Sequence, residues 1–204
     1  MTDRYYILRT MVHPIDSFWD LKFQKKGRTW VPVILVIAFF FATLFERQVR
    51  AFSFNSAANT SLDLMYQIRI VLLPIVLFCI SNWAVTTLMD GKGTMKDIFT
   101  VIGYALVPLG IFKIIAAIVS QVMSLEEDIY LYLLDYCGII WFAIILVVGI
   151  MTVHQYTLKK TVATFVLTVA AATVIIFVVL LFLSLFQEIF GFAYTIYREI
   201  TLRI

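Results

Sequence analysis

The sequence predicts an all-α integral membrane protein, a bundle of five transmembrane helices with the N-terminus cytoplasmic and the C-terminus outside. Hydrophobic residues make up 62% of the 204 residues and charged residues 14%, with a mean hydropathy of +0.97. Soluble domains hold about 45–50% apolar and about 25% charged residues. The apolar residues fall into five long runs, and Lys and Arg are shared unequally between the connections. The net charge of +3 gives no reason to expect nucleic-acid binding.

The five runs are long enough to cross a bilayer, since a spanning helix needs about 20 mostly apolar residues. Each run is bounded by the charged residues that flank it. The predicted spans are residues 30–46, 70–89, 98–123, 136–154 and 161–186. Residues 1–29 are then a cytoplasmic leader, and residues 30–204 are one membrane domain.

The positions of Lys and Arg predict the orientation, because cytoplasmic connections carry an excess of them. The leader and two connections hold Arg4, Arg9, Lys22, Lys25, Lys26, Arg28, Lys92, Lys96, Lys159 and Lys160. The opposite side holds Arg47, Arg50, Arg69, Arg198 and Arg203. The side with the larger number is cytoplasmic, and a prokaryotic cytoplasmic membrane is the expected location. Asn59-Thr60-Ser61, a glycosylation acceptor pattern, falls in an outer connection.

The leader allows two interpretations. Pro14 suits the first turn of a helix. The aromatic residues Phe18, Trp19 and Phe23 follow it, interleaved with lysines. The leader is either an amphipathic helix in the membrane interface or an ordinary basic flank that sets topology.

The connection after the second run is the candidate functional motif. Gly91 is expected to take the left-handed conformation that ends a helix, and Thr94 with Asp97 forms a capping pattern for the next one. The segment is either a tight turn or a docking surface for a cytoplasmic partner. Its candidate residues, with those early in the third span, are Asn82, Trp83, Thr87, Asp90, Gly91, Gly93, Asp97, Gly103, Tyr104 and Pro108.

The third run has a stripe of small residues, because Gly103, Gly110 and Ala117 recur every seven residues. Small residues let helices approach closely in lipid. Lys113 falls on the same stripe and is predicted to face protein. Pro108 is expected to kink this helix.

Lys113 is predicted to need a partner, because a lysine near mid-membrane costs at least about 2.5 kcal/mol on insertion scales. The candidate partners are Ser, Thr and backbone carbonyl groups, or else Asn82 or Asp135. The alternative is that the side chain snorkels to the outer headgroups. No acidic residue is expected to be buried in another span.

Catalytic, metal and cofactor sites are not expected. His13 and His154 are isolated, and no grouping of His, Cys and Asp has the spacing of metal ligands. The sequence therefore predicts a protein that is not an enzyme.

The segment from Asn82 to Asp97, followed by Ile102-Gly103-Tyr104-Ala105-Leu106-Val107-Pro108, resembles the Yip domain family, membrane proteins named for interacting with Ypt/Rab GTPases. A shorter likeness covers residues 13–18. The resemblance implies a five-helix bundle without enzymatic activity. Eukaryotic members bind small prenylated GTPases and shape traffic between the endoplasmic reticulum and the Golgi. The short leader is similar to that of prokaryotic members.

The leading hypothesis is a non-enzymatic membrane adaptor that binds a protein partner, such as a transporter complex or a GTPase-like protein, through its cytoplasmic loops. The first alternative is a transporter or channel subunit that uses Lys113 and the Pro108 kink. The second is a protein that shapes membranes or handles lipid. The lipid bilayer surrounds the protein in each case, and a homo-oligomer is possible.

Overall fold

The computed structural model describes residues 3–24, 27–28, 30–51, 54 and 63–202. This part of the chain is helical and contains no strand, as predicted. Its helices are α1 (Asp3–Val12), α2 (Pro14–Phe23), α3 (Val31–Val49), α4 (Leu64–Leu88), α5 (Met95–Val119), α6 (Asp128–His154) and α7 (Leu158–Leu202), with a 3-10 turn at Leu125–Glu127. Helices α3 to α7 are long and apolar enough to cross a membrane. Asn59 lies outside the described residues.

Several helices continue past the charged residues at which the predicted spans stop. Helix α3 runs through Glu46 to Val49, and α4 begins at Leu64, where the Asp63 carboxylate accepts a hydrogen bond from the Tyr66 amide. A charged side chain does not by itself end a helix, and that of Glu46 has partners inside the bundle. Glu46 is therefore part of a span and not only its flank.

The helices alternate in direction between two ends of the bundle. The leader end is the one at which α4 and α6 finish and α5 and α7 begin; the far end is the opposite one. Helix α5 is central and packs extensively on α3 and α6. A Cβ atom at Gly103 would lie 2.9 Å from Pro32 Cα, and one at Gly138 would lie 2.8 Å from Phe112 Cβ. Glycine therefore sets how closely these helices approach.

The leader is folded against the bundle. The Phe18 ring, 1% exposed, packs edge-to-face on Tyr104, while Trp19 and Phe23 are exposed. The Trp141 indole, halfway along α6, donates a hydrogen bond to the Met11 carbonyl oxygen. The corner between α1 and α2 therefore lies beside the middle of α6. The leader is helical and contributes Tyr6 and Phe18 to the core, and its place relative to the membrane interface stays a prediction.

Helix α7 has 45 residues and is about 67 Å long. Thr161, Thr164 and Thr168 are buried, and α7 packs mainly on α4. Beyond residue 175 every described side chain up to Thr201 is exposed. The helix is anchored only through its first turns.

Candidate functional site at the leader end

The turn between α4 and α5 is shaped by a close approach to α6. Asp90, with φ of 58°, takes the left-handed conformation, and Gly91 does not. The prediction that Gly91 ends the helix in this conformation was therefore wrong. Aspartate tolerates this region of φ better than most residues. Gly91 is needed for another reason, because a Cβ atom there would lie 2.5 Å from His154 Nδ1.

Gly93 makes a second close approach to the same ring. Its amide donates a hydrogen bond to His154 Nδ1 at 3.3 Å, and a Cβ atom at this position would lie 2.5 Å from His154 Cε1. The neighbouring Tyr156 hydroxyl donates a hydrogen bond shared between the carbonyl oxygens of Thr86 at 3.3 Å and Met89 at 3.1 Å. The turn is thereby fixed to the end of α6.

The start of α5 is capped as predicted. The Thr94 hydroxyl accepts a hydrogen bond from the Asp97 amide, and the Asp97 carboxylate accepts one from the Thr94 amide at 2.8 Å. This capping box satisfies two amides that lack partners within the helix. It also places the Asp97 carboxylate 3.5 Å from the Lys22 ammonium group.

Lys22 joins three separate parts of the chain. Its ammonium group donates hydrogen bonds to the carbonyl oxygens of Lys92 at 2.7 Å and Val153 at 2.6 Å. Burial lowers the pKa of Lys22 below its usual 10.5, and the charge of Asp97 opposes this shift. Sequence reasoning counted Lys22 only as a topological charge. No local pattern could have revealed a role that depends on residues so distant along the chain.

A cavity of about 350 Å³ lies between the leader and the start of α5. The bases Lys22, Arg28 and Lys96 line it, together with Asp97. Outside it Lys92, whose ammonium group donates to Gln155 Oε1 at 2.6 Å, is exposed. We call the exposed bases at this end the basic surface. They are Arg28, Lys92, Lys96 and Lys159.

The other candidate residues on α4 lie deeper or on the outside. The Asn82 amide is fully buried and donates a hydrogen bond to Thr168 Oγ1 at 3.0 Å, which ties α4 to α7. Trp83 and Thr87 are exposed. The structure thus does not bring these three residues together with the turn.

The candidate residues of α5 lie in the core. Gly103 faces α3, Tyr104 contacts the leader and Pro108 is buried within the helix. Gly110 also faces α3, since a Cβ atom there would contact Phe39 at 3.4 Å, and Ala117 is fully buried. These positions fix how the helices pack.

Lys113 has a partner that sequence reasoning missed. Its ammonium group lies 2.6 Å from Glu46 Oε2 on α3, and Glu46 also pairs with Arg50 at 2.9 Å. The Glu46 and Lys113 side chains are 12% and 27% exposed. Within the described part of the chain, Lys113 uses none of the expected partners. The expectation that no other span holds a buried acid was wrong, because Glu46 on α3 is such an acid. The sequence did contain a clue to this partner, because Glu46 directly follows the first apolar run.

Comparison with known proteins gives a match to a family model. No curated protein and no solved structure matches the chain. A family model described as the Yip1 domain matches residues 8–196, which run from within α1, through the turn, to within α7. The match covers nearly the whole chain and agrees with the resemblance seen in residues 82–108. The chain therefore belongs to the Yip1 domain family of multi-span membrane proteins.

Proposed function

We propose that the protein is a non-enzymatic membrane adaptor that binds an acidic segment of a partner protein through the basic surface. In this proposal the leader end faces the cytoplasm of a prokaryotic cell, and the partner belongs to a transporter complex or is a GTPase-like protein. The observation that carries the proposal is the clamp made by Lys22, which joins the leader, the turn and α6 at one end of the bundle.

The clamp matters because it holds the surface rigid. Lys92 and Lys96 sit on a turn fixed by two close glycine contacts and by a capping box. A surface that is ordered before binding loses less conformational entropy when a partner docks. Exposed bases on such a surface attract an acidic segment and select against basic ones.

The experiment is copurification from native membranes, with partners identified by mass spectrometry. We expect the variant Lys92→Glu/Lys96→Glu to lose a partner that the wild type retains. The matched control is Arg69→Glu/Arg198→Glu, which reverses two exposed bases elsewhere on the molecule. Both variants must elute as the wild type does in size-exclusion chromatography. Equal recovery of the partner with both variants would rule out the basic surface as the docking site.

The orientation has its own test. A Lys92→Cys variant, made in a Cys137→Ser background because Cys137 is the exposed native thiol, should be protected from an impermeant maleimide added to intact cells. Labelling from outside would reverse the proposed topology and move the basic surface away from the cytoplasm.

The ion pair of Lys113 with Glu46 favours a second candidate, a transporter or channel subunit, because charges within spans often mark substrate pathways. Liposomes containing the purified protein would test it. An ion or solute flux that is present in the wild type and lost in Lys113→Met would favour transport over the adaptor function.

A further inference from the structure

A cavity of about 600 Å³ opens between α3, α4, α5 and α6, away from the basic surface. Helix α3 packs closely on α5 but touches α4 at few points. The cavity is the gap that is left between α3 and α4. Most of its walls are apolar, including Val71, Ile75, Phe78, Leu106 and Phe142. In a membrane, such a gap between spans faces acyl chains.

One end of the cavity is strongly charged. Arg47, Arg50 and Lys113 line it together with Glu46. Both oxygens of Glu46 are already engaged, Oε1 by Arg50 and Oε2 by Lys113. Asp135 accepts a hydrogen bond from the other amino group of Arg50 at 2.9 Å. Arg47 donates a hydrogen bond to the neutral side chain of Gln67. Among the described residues at this end, three cations thus face two carboxylates, which leaves an excess of one positive charge.

Hydrogen-bonding capacity remains at this end. Arg50 Nε is buried and makes no hydrogen bond with any described residue. Lys113 donates a hydrogen bond to Glu46, and an ammonium group carries three donors. A buried donor without an acceptor is costly. The acceptor Asp135 Oδ1 is also buried there without a described donor, but the cations outnumber the carboxylates, so the site favours an additional anionic acceptor.

The dimensions of the cavity match one leaflet. Ile102 and Lys113 both line it and are 11 positions apart on α5, which corresponds to about 16 Å. Half of a hydrocarbon core of about 30 Å is about 15 Å. If the phosphate of a phospholipid is held at the charged end, an acyl chain of that lipid lies along the apolar walls, parallel to the helices.

We infer that this cavity is a binding site for an anionic phospholipid, with its phosphate at Arg47, Arg50 and Lys113 and an acyl chain between α3 and α4. Charge-assisted hydrogen bonds from arginine to phosphate are strong. A lipid with no net charge would gain less from the positive excess. The site is independent of the basic surface, and the two proposals can fail separately.

The test is native mass spectrometry of the detergent-purified full-length protein incubated with phosphatidylglycerol or with phosphatidylcholine of the same acyl chains. We expect retained phosphatidylglycerol to exceed retained phosphatidylcholine. Arg50→Gln should lower the phosphatidylglycerol-bound fraction about tenfold or more, the effect of losing a hydrogen bond to a charged group. Its control, Arg69→Gln, removes an exposed base of α4 that does not line the cavity, and should bind as the wild type does.

A second variant keeps every charge. Val71→Phe fills the apolar part of the cavity and should also abolish retention, whereas Leu72→Phe, on the exposed side of the same turn, should not. If Arg50→Gln fails to fold, this pair decides the question. Equal retention of both lipids, retention by Val71→Phe, or a melting-temperature increase produced equally by inorganic phosphate would each overturn the inference.

Discussion

Replacing Glu46 by Gln removes the carboxylate that Lys113 and Arg50 share within the bundle. Lys113 then loses a partner at 2.6 Å, while Arg50 keeps Asp135 at 2.9 Å. Removing one member of a buried ion pair costs about 3–5 kcal/mol, because a charge is left without compensation. Since the two side chains are 12% and 27% exposed, water relieves part of this cost. We expect Glu46→Gln to lower the free energy of unfolding by about 3 kcal/mol.

Replacing the other member of the pair, Lys113, should lower the stability less. In Lys113→Met, Glu46 still has Arg50 at 2.9 Å, and the desolvation of a lysine inside a span, about 2.5 kcal/mol, is relieved. We expect a loss of about 1 kcal/mol or less. The double variant contains no uncompensated lysine and should resemble Lys113→Met, which gives a coupling energy of about 3 kcal/mol.

The assay is unfolding by increasing mole fraction of dodecyl sulfate in mixed micelles, followed by tryptophan fluorescence. Glu126→Gln, an exposed acid near the start of α6, is the matched control and should change stability by less than about 0.5 kcal/mol. If the effects of the two single substitutions add to within about 0.5 kcal/mol in the double variant, the pair is not coupled and the reasoning is refuted.

Three further predictions concern the leader end and α7. Gly93→Ala forces a methyl group against the imidazole at the end of α6 and should lower the melting temperature, whereas Gly191→Ala, with no atom within 4 Å, should leave it unchanged or raise it. Thr168→Val removes the acceptor of the Asn82 amide and should cost about 0.6–1.7 kcal/mol in the same unfolding assay, and a value near zero would contradict its role in tying α7. Because burial lowers the pKa of Lys22, the unfolded chain binds this proton more tightly, so stability should rise with pH from the lowered pKa up to 10.5. Lys22→Met should abolish that rise in unfolding measured across the alkaline range.

The spans were predictable because lipid acts as the solvent for each helix separately, so long apolar runs suffice to identify them. Their ends were less predictable. Glu46 looked like a boundary because sequence reasoning stops a span at a charge. Its pairing with Arg50 is local, but its pairing with Lys113 on another helix appears only in the structure.

In the candidate site, too, local features were predictable from the sequence and long-range contacts were not. The capping box of Thr94 and Asp97 spans three residues, so the sequence could predict it. Asp90 and not Gly91 takes the left-handed conformation, and Gly91 is needed because it lies against the ring of His154. That ring comes from a distant helix, and no local pattern reports where it will lie.

The clamp at Lys22 also sets an order of events during synthesis. Lys22 and its acceptor Val153 are separated by 131 residues. At about 5–20 residues per second, the ribosome needs about 7–26 s to add that length. Throughout this interval the leader has left the ribosome without its final anchor, so its aromatic and basic side chains are accessible to the insertion machinery and to chaperones. Docking of the leader would then mark the moment at which the fourth span is in place.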